Sequence, residues 1–209
     1  EIRNLAGGVI DANVAGEVLR IQGDVSASSP GNGVTNLGTM QASNGGILRL
    51  FFEDYTQTDG NDSGVIQALA GSTVQVENSA IDITGGTLAS AAGGELLLRS
   101  AGIDLVDVTV ANAGTLNAVP DSNGATLIRM VGGSFGNSGT ANFDNSDLRL
   151  DGTAFDNSGL VEMHSDGGTA SIFLGSDTTF DGGGTIRLSG PATVPVFFGD
   201  DTPDRKSVV

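Results

Sequence analysis

Apolar residues in this chain come in short bursts, separated by Gly, Ser, Asn and Asp. Val18-Leu19-Arg20-Ile21, Ile47-Leu48-Arg49-Leu50, Thr73-Val74-Gln75-Val76, Leu127-Ile128-Arg129-Met130 and Ile172-Phe173-Leu174 are clear examples. Alternation within a burst, bounded by turn-forming residues, predicts a short strand with one face buried. Helical spacing is scarce. The stretch from Ala89 to Leu98 comes closest, and Gly93-Gly94 interrupts it. The pattern predicts a chain of strands and turns almost throughout.

The bursts recur. Aligned on Gly8, Gly38, Gly64, Gly86, Gly114, Gly139, Gly159 and Gly184, the chain repeats at intervals of 30, 26, 22, 28, 25, 20 and 25 residues. The position two after the glycine is apolar in every repeat, as in Ile10, Met40, Leu88 and Leu116. Four after it stand Ala12, Ala42, Ala68, Ser90, Ala118, Phe143, Met163 and Leu188. Asn36, Asp62, Asn112, Asn137 and Asn157 stand two before it, and Thr often follows it. The motif is h-x-N-x-G-T-h-x-A, where h is apolar. A second arm follows, typically Gly or Ser and then x-h-x-h; a weaker third arm carries Ile81-Asp82-Ile83 and Val106 to Val110.

Three short strands per period and about eight periods point to an all-β fold, a right-handed parallel β-helix (β-solenoid) over residues 1–190. A propeller blade needs about 40 residues and four strands, so it fits less well. Periods this variable also exclude a left-handed helix of strict hexapeptides. Coils stacked about 4.8 Å apart would form a rod of roughly 38 Å, with a core that no single coil could bury. Glycine at the corners is expected for its backbone freedom. Asn36, Asn112, Asn137 and Asn157 are expected to stack as one turn ladder, bonding to the backbone and to one another. Residues 191–209, with Pro191 and Asp200-Asp201, leave the repeat and are expected to be a tail, cap or linker.

Composition narrows the function classes. The chain has 209 residues, 33 of them Gly, and no Cys or Trp. Without cysteine there is no disulfide scaffold, zinc finger or thiol nucleophile. A formal charge of −16 argues against a nucleic-acid binder and against docking on anionic lipid. No apolar run approaches the roughly 18 residues of a membrane span.

Asn36-Leu37-Gly38-Thr39-Met40-Gln41-Ala42 and Asn112-Ala113-Gly114-Thr115-Leu116-Asn117-Ala118 resemble the N-x-G-T-I-x-A repeats of bacterial surface β-helices. That family includes autotransporter passengers and filamentous-haemagglutinin-like adhesins. The resemblance spans about residues 4–190. It implies a secreted or surface-anchored bacterial rod, with a host or neighbouring-cell glycan or protein as the expected partner; a filament subunit is the alternative, since uncapped β-helix ends can continue the sheet end to end into the next molecule. Such passengers tend to lack cysteine, as this chain does. The chain begins Glu1-Ile2-Arg3, without the family's signal peptide or translocator barrel, and is expected to be a processed or excised piece.

Candidate chemistry is sparse. Enzymes on this fold usually cleave acidic polysaccharides, using carboxylates or Ca²⁺ with a basic residue. Carboxylates abound at Asp144, Asp147, Asp151 and Asp156, but there is no N-T-D, G-H-G or R-I-K block. The lone His164 is expected at a surface or turn, and the lone Lys206 lies in the tail. A glycan-active site would gather several of Asp144, Asp147, Asp151, Glu162 and Asp166 beside an arginine. Asp59, Asn61 and Asp62 offer oxygens at the spacing that opens a Ca²⁺ loop, although its closing acidic position is Ala70. Arg20, Arg49, Arg129 and Arg149 fall mid-strand in the second arm and face outward, a candidate row for an acidic glycan or another anion. The plainer expectation is a solvated face paired with neighbouring acids.

Overall fold

The computed structural model describes residues 1–22, 33–51, 53–77, 80–120, 124–175, 178–190 and 196–199, the last four as backbone. Among them there are strands, turns and bends and no helix. The strands form three parallel sheets of nine, eight and eight members, visited in turn by each coil. One coil serves as the pattern for the rest. Ile103–Val106 lies in the first sheet, Thr109–Asn112 in the second and Thr115–Ala118 in the third. Each strand pairs with the equivalent strand one coil away, and the chain is a parallel β-helix of about eight coils.

Alternation decides which side chains go inside. Thr115–Ala118 buries Leu116 and Ala118 while Thr115 and Asn117 face out. Inward positions stack into columns. Met40, Ile66, Leu88, Val110, Phe135 and Phe155 line the second sheet in register, and all are buried. Phe135 and Phe155 lie ring on ring, centroids 5.0 Å apart and 3° from parallel. Tyr55 is fully buried as well: its hydroxyl donates to the Ile21 carbonyl at 3.0 Å, and burial pushes its pKa upward.

The glycine alignment slips by one arm. Gly8, Gly38, Gly64 and Gly86 precede strands of the second sheet, but Gly114, Gly139, Gly159 and Gly184 precede strands of the third. Thr87 pairs with Thr109, so the true successor of Gly86 is Val108; the coil-mate of Gly114 is Gly94. Two different corners carry the same local chemistry, and a coil of variable length lets one stand in for the other. Backbone freedom is also not what most of these glycines supply. Of the eight, only Gly86 has a positive φ, at 67°. A Cβ on Gly114 would run into the carbonyl oxygens of Ala91 and Gly94, and one on Gly139 into that of Gly114. Adjacent coils pass too closely at this corner for any side chain.

The first sheet continues past the expected boundary at residue 190, because Val196–Gly199 pairs with Ser171–Leu174 as its ninth strand. Pro191, Asp200-Asp201 and Lys206 lie outside the described residues.

Candidate functional sites on the outer faces

The same slip divides the four arginines. Arg20 and Arg49 are neighbours on the third sheet, whereas Arg129 and Arg149 are neighbours on the first. No single row joins them, and each pair has local partners. The Arg20 guanidinium lies 5.1 Å from the centre of the Phe51 ring. Arg49 Nε donates to Gln75 Oε1 at 3.0 Å and sits 3.2 Å from Glu77. Arg129 and Arg149 share Asp151 Oδ2, at 3.4 and 3.0 Å, and Arg129 also lies 3.9 Å from Asp104. These pairs are half exposed, so they cancel charge and hold side chains in place without adding much stability.

The asparagines form two ladders at two corners. Between the first and second sheets, Asn4 Nδ2 donates to Asn36 Oδ1 at 2.8 Å, and Asn36 Nδ2 to Gln57 Oε1 at 3.2 Å. Between the second and third, Asn112 Nδ2 donates to Asn137 Oδ1 at 2.6 Å and Asn137 Nδ2 to Asn157 Oδ1 at 2.8 Å. Asn137 and Asn157 also donate to the carbonyls of Leu160 and Thr185, at 3.0 and 3.2 Å. Every member is buried and bonded, so the ladders close corners and present nothing to a ligand. Sequence reading missed Asn4, Gln57 and Ser90, whose hydroxyl donates to Asn112 Oδ1. Asn4 stands four residues before Gly8, at the motif's apolar position and not at its asparagine position.

At Asp59, Asn61 and Asp62 the chain makes a small exposed hairpin, with Thr58 bridged to Ser63. Asp59 Oδ1 accepts the backbone N–H groups of Asn61 and Asp62 at 2.9 and 2.8 Å, which holds its carboxyl below the usual range. Among the described residues no three acidic or histidine side chains converge to hold a metal. The hairpin offers two carboxylates, Asp59 and Asp62, fewer charged ligands than a full calcium loop supplies.

The carboxylates expected to mark a catalytic cleft are also divided. Asp144 and Glu162 face out from the third sheet, Asp147 and Asp151 belong to the first, and Asp166 follows the strand Leu160–His164 in a turn. Register does gather one polar group that the sequence reading left apart. Asp144, His164 and Ser189 occupy the same outward position on three successive coils. His164 Nδ1 lies 3.0 Å from Ser189 Oγ, and Nε2 lies 3.9 Å from Asp144 Oδ1. Ser189 Oγ donates to Glu162 Oε1 at 3.0 Å, and the Arg187 guanidinium clasps Glu162 and holds its carboxyl below the usual range. The serine proton is thus aimed at a carboxylate and not at the imidazole, which leaves Ser189 a poor nucleophile. On the first sheet, Asp82 stands in register with Asp104, and Asp54 occupies the next coil. Partial burial and then the charges of Asp54 and Asp104 push its carboxyl up.

The chain matches no protein-family model, no curated protein and no solved structure.

Proposed function

We propose that this chain is a non-catalytic structural and adhesive rod of a bacterial surface or secreted protein, turning its outer faces toward a glycan or protein of a host or neighbouring cell. One observation carries the reading. The outward charged side chains are tied to one another between coils, as in Arg129 and Arg149 on Asp151 and Arg187 on Glu162, and do not converge on a reacting atom. Such a surface suits recognition over an extended face better than chemistry at a point. The extracellular placement rests on the resemblance of the Asn-x-Gly-Thr corners and on the absence of cysteine. Binding of the purified chain to immobilised acidic and neutral glycans and to cell-surface proteins tests it. Saturable binding that weakens when Arg20 and Arg49 become Gln is expected; no binding to any surface would sink the reading.

A glycan hydrolase or lyase is the second reading, favoured by the convergence of Asp144, His164 and Glu162 on one face. Turnover of an acidic polysaccharide, lost in Glu162→Gln, would replace the first reading with this one. Absence of turnover at every pH would eliminate it.

A further inference from the structure

Outside the terminal coils, one large apolar side chain stands exposed among the described residues. It is Leu127, 40% exposed, at the start of a first-sheet strand. Its surroundings have an internal symmetry that follows from register. Along the central outward column, between Asp54 and Phe173, run Asp82, Asp104, Arg129 and Arg149, two acids followed by two bases. To one side run Gly102, Leu127 and Asp147; to the other run Thr84, Val106, Val131 and Asp151. The pattern reverses sign about a line midway between the strands Ile103–Val106 and Leu127–Val131.

We propose that this face is a self-complementary docking surface on which two copies of the chain pair side by side, with their rod axes antiparallel. A two-fold axis along that midline, parallel to the strands, lays each strand over its mirror-placed counterpart in the second copy. Asp82 then faces Arg149 of the second copy, and Asp104 faces Arg129. Leu127 faces Gly102, and Val106 faces Val131. Leu127 meets open space, because a Cβ added at Gly102 would have no atom within 4 Å. The charged groups are available: the side chains of Asp104, Arg129 and Arg149 are 43%, 44% and 49% exposed. Asp151 holds both arginines in place before association, which lowers the entropy lost on docking. Pairing also brings a counter-charge to Asp82, whose column neighbours are the acids Asp54 and Asp104, whereas Asp104 already has Arg129 at 3.9 Å.

Charge selects this arrangement over two alternatives. Rods lying parallel would set Asp82 on Asp82 and Arg149 on Arg149. End-to-end stacking that continues the register of the last described second- and third-sheet strands would set Asp181 against Asp11 and Arg187 against Arg20. Four strands at about 4.8 Å and three outward positions each make a patch of roughly 300 Å² per copy, well below the roughly 800 Å² of a standard partner face. The pairing is therefore weak and screened by salt.

Sedimentation equilibrium of the 209-residue chain tests it, with circular dichroism confirming that each variant is folded. A reversible dimer is expected at low ionic strength, lost as salt is raised. Arg149→Asp should weaken it about tenfold or more, since the contact occurs twice. Adding Asp82→Arg to that variant restores opposite charges across the interface and should recover the dimer. Gly102→Leu fills the space that Leu127 of the second copy would take and should abolish the dimer without disturbing the fold, because Gly102 has ordinary φ and open space. A chain that stays monomeric at millimolar concentration in low salt overturns the proposal. So does a dimer indifferent to Arg149→Asp and Gly102→Leu, or a double variant that fails to recover. None of these outcomes bears on whether the rod binds a surface ligand.

Discussion

At the scale of single residues, space at the corners and charge along the columns decide most of what happens. Gly139 has ordinary φ, yet a Cβ there would strike the Gly114 carbonyl and the Ala113 backbone, neither of which can swing aside. Gly139→Ala should therefore destabilise the fold by about 1–3 kcal/mol, as overpacking does, in urea denaturation. An unchanged midpoint would show that the coils can spread at this corner. Asp82 gives a pH-dependent case. Its folded carboxyl is raised by partial burial and by Asp54 and Asp104, so the folded state holds the proton more tightly than the unfolded state. That difference makes stability fall as pH rises from the ordinary aspartate range through the raised folded value. Asp82→Asn removes the penalty and should be more stable than the native chain at neutral pH, by at most a few tenths of a kcal/mol, because solvent screens the exposed carboxyl. The gap should close in acid, where Asp82 is protonated in both states. Melting curves at matched pH values, taken in salt high enough to suppress self-association, measure it. Asn36 announced a turn ladder by its type, but Asn4 and Gln57, its actual partners, were invisible because neither sits at the motif's asparagine position.

At the scale of elements, a coil gains its stability from its neighbours. The strands Ile103–Val106, Thr109–Asn112 and Thr115–Ala118 pair on both sides, while Ile2–Asn4, Val9–Ala12 and Val18–Ile21 pair on one. Leu19, an inward position in register with Leu48, is 37% exposed, and Leu5 and Val9 are more exposed still. Amide hydrogen exchange should therefore be slowest in the central strands and fastest in the first coil, in graded steps. Uniform protection would mean that the coils open only together. The strands themselves were legible: Val18–Ile21 was read to the residue, and the burst at Thr73 fell inside Thr73–Glu77. What was not legible was which sheet each strand joined. Corners with Asn, Gly and Thr occur both before the second-sheet strand Thr39–Ala42 and before the third-sheet strand Thr115–Ala118. Local chemistry is the same at both, because both close a sharp bend against a stacked coil.

At the scale of the molecule, the acidic excess of −16 is not spread evenly. Acids and bases meet in columns fixed by register, so that Arg129 and Arg149 sit on Asp151 and Arg187 on Glu162. A histidine that looked incidental joins Asp144 and Ser189 across three coils. By itself the sequence determined the class of fold, the existence of the strands, and the inward and outward faces of each. Those follow from alternation and turn chemistry within a few consecutive residues. Only the tertiary structure decided which outward residues share a column, and with that every candidate site. Coil lengths vary, and the step of 28 residues from Gly86 to Gly114 overshoots the 22-residue coil from Thr87 to Thr109 by six. Six residues are one strand and its corner. An error of that size carries a side chain from one face of the rod to the next, and nothing local in the sequence records it.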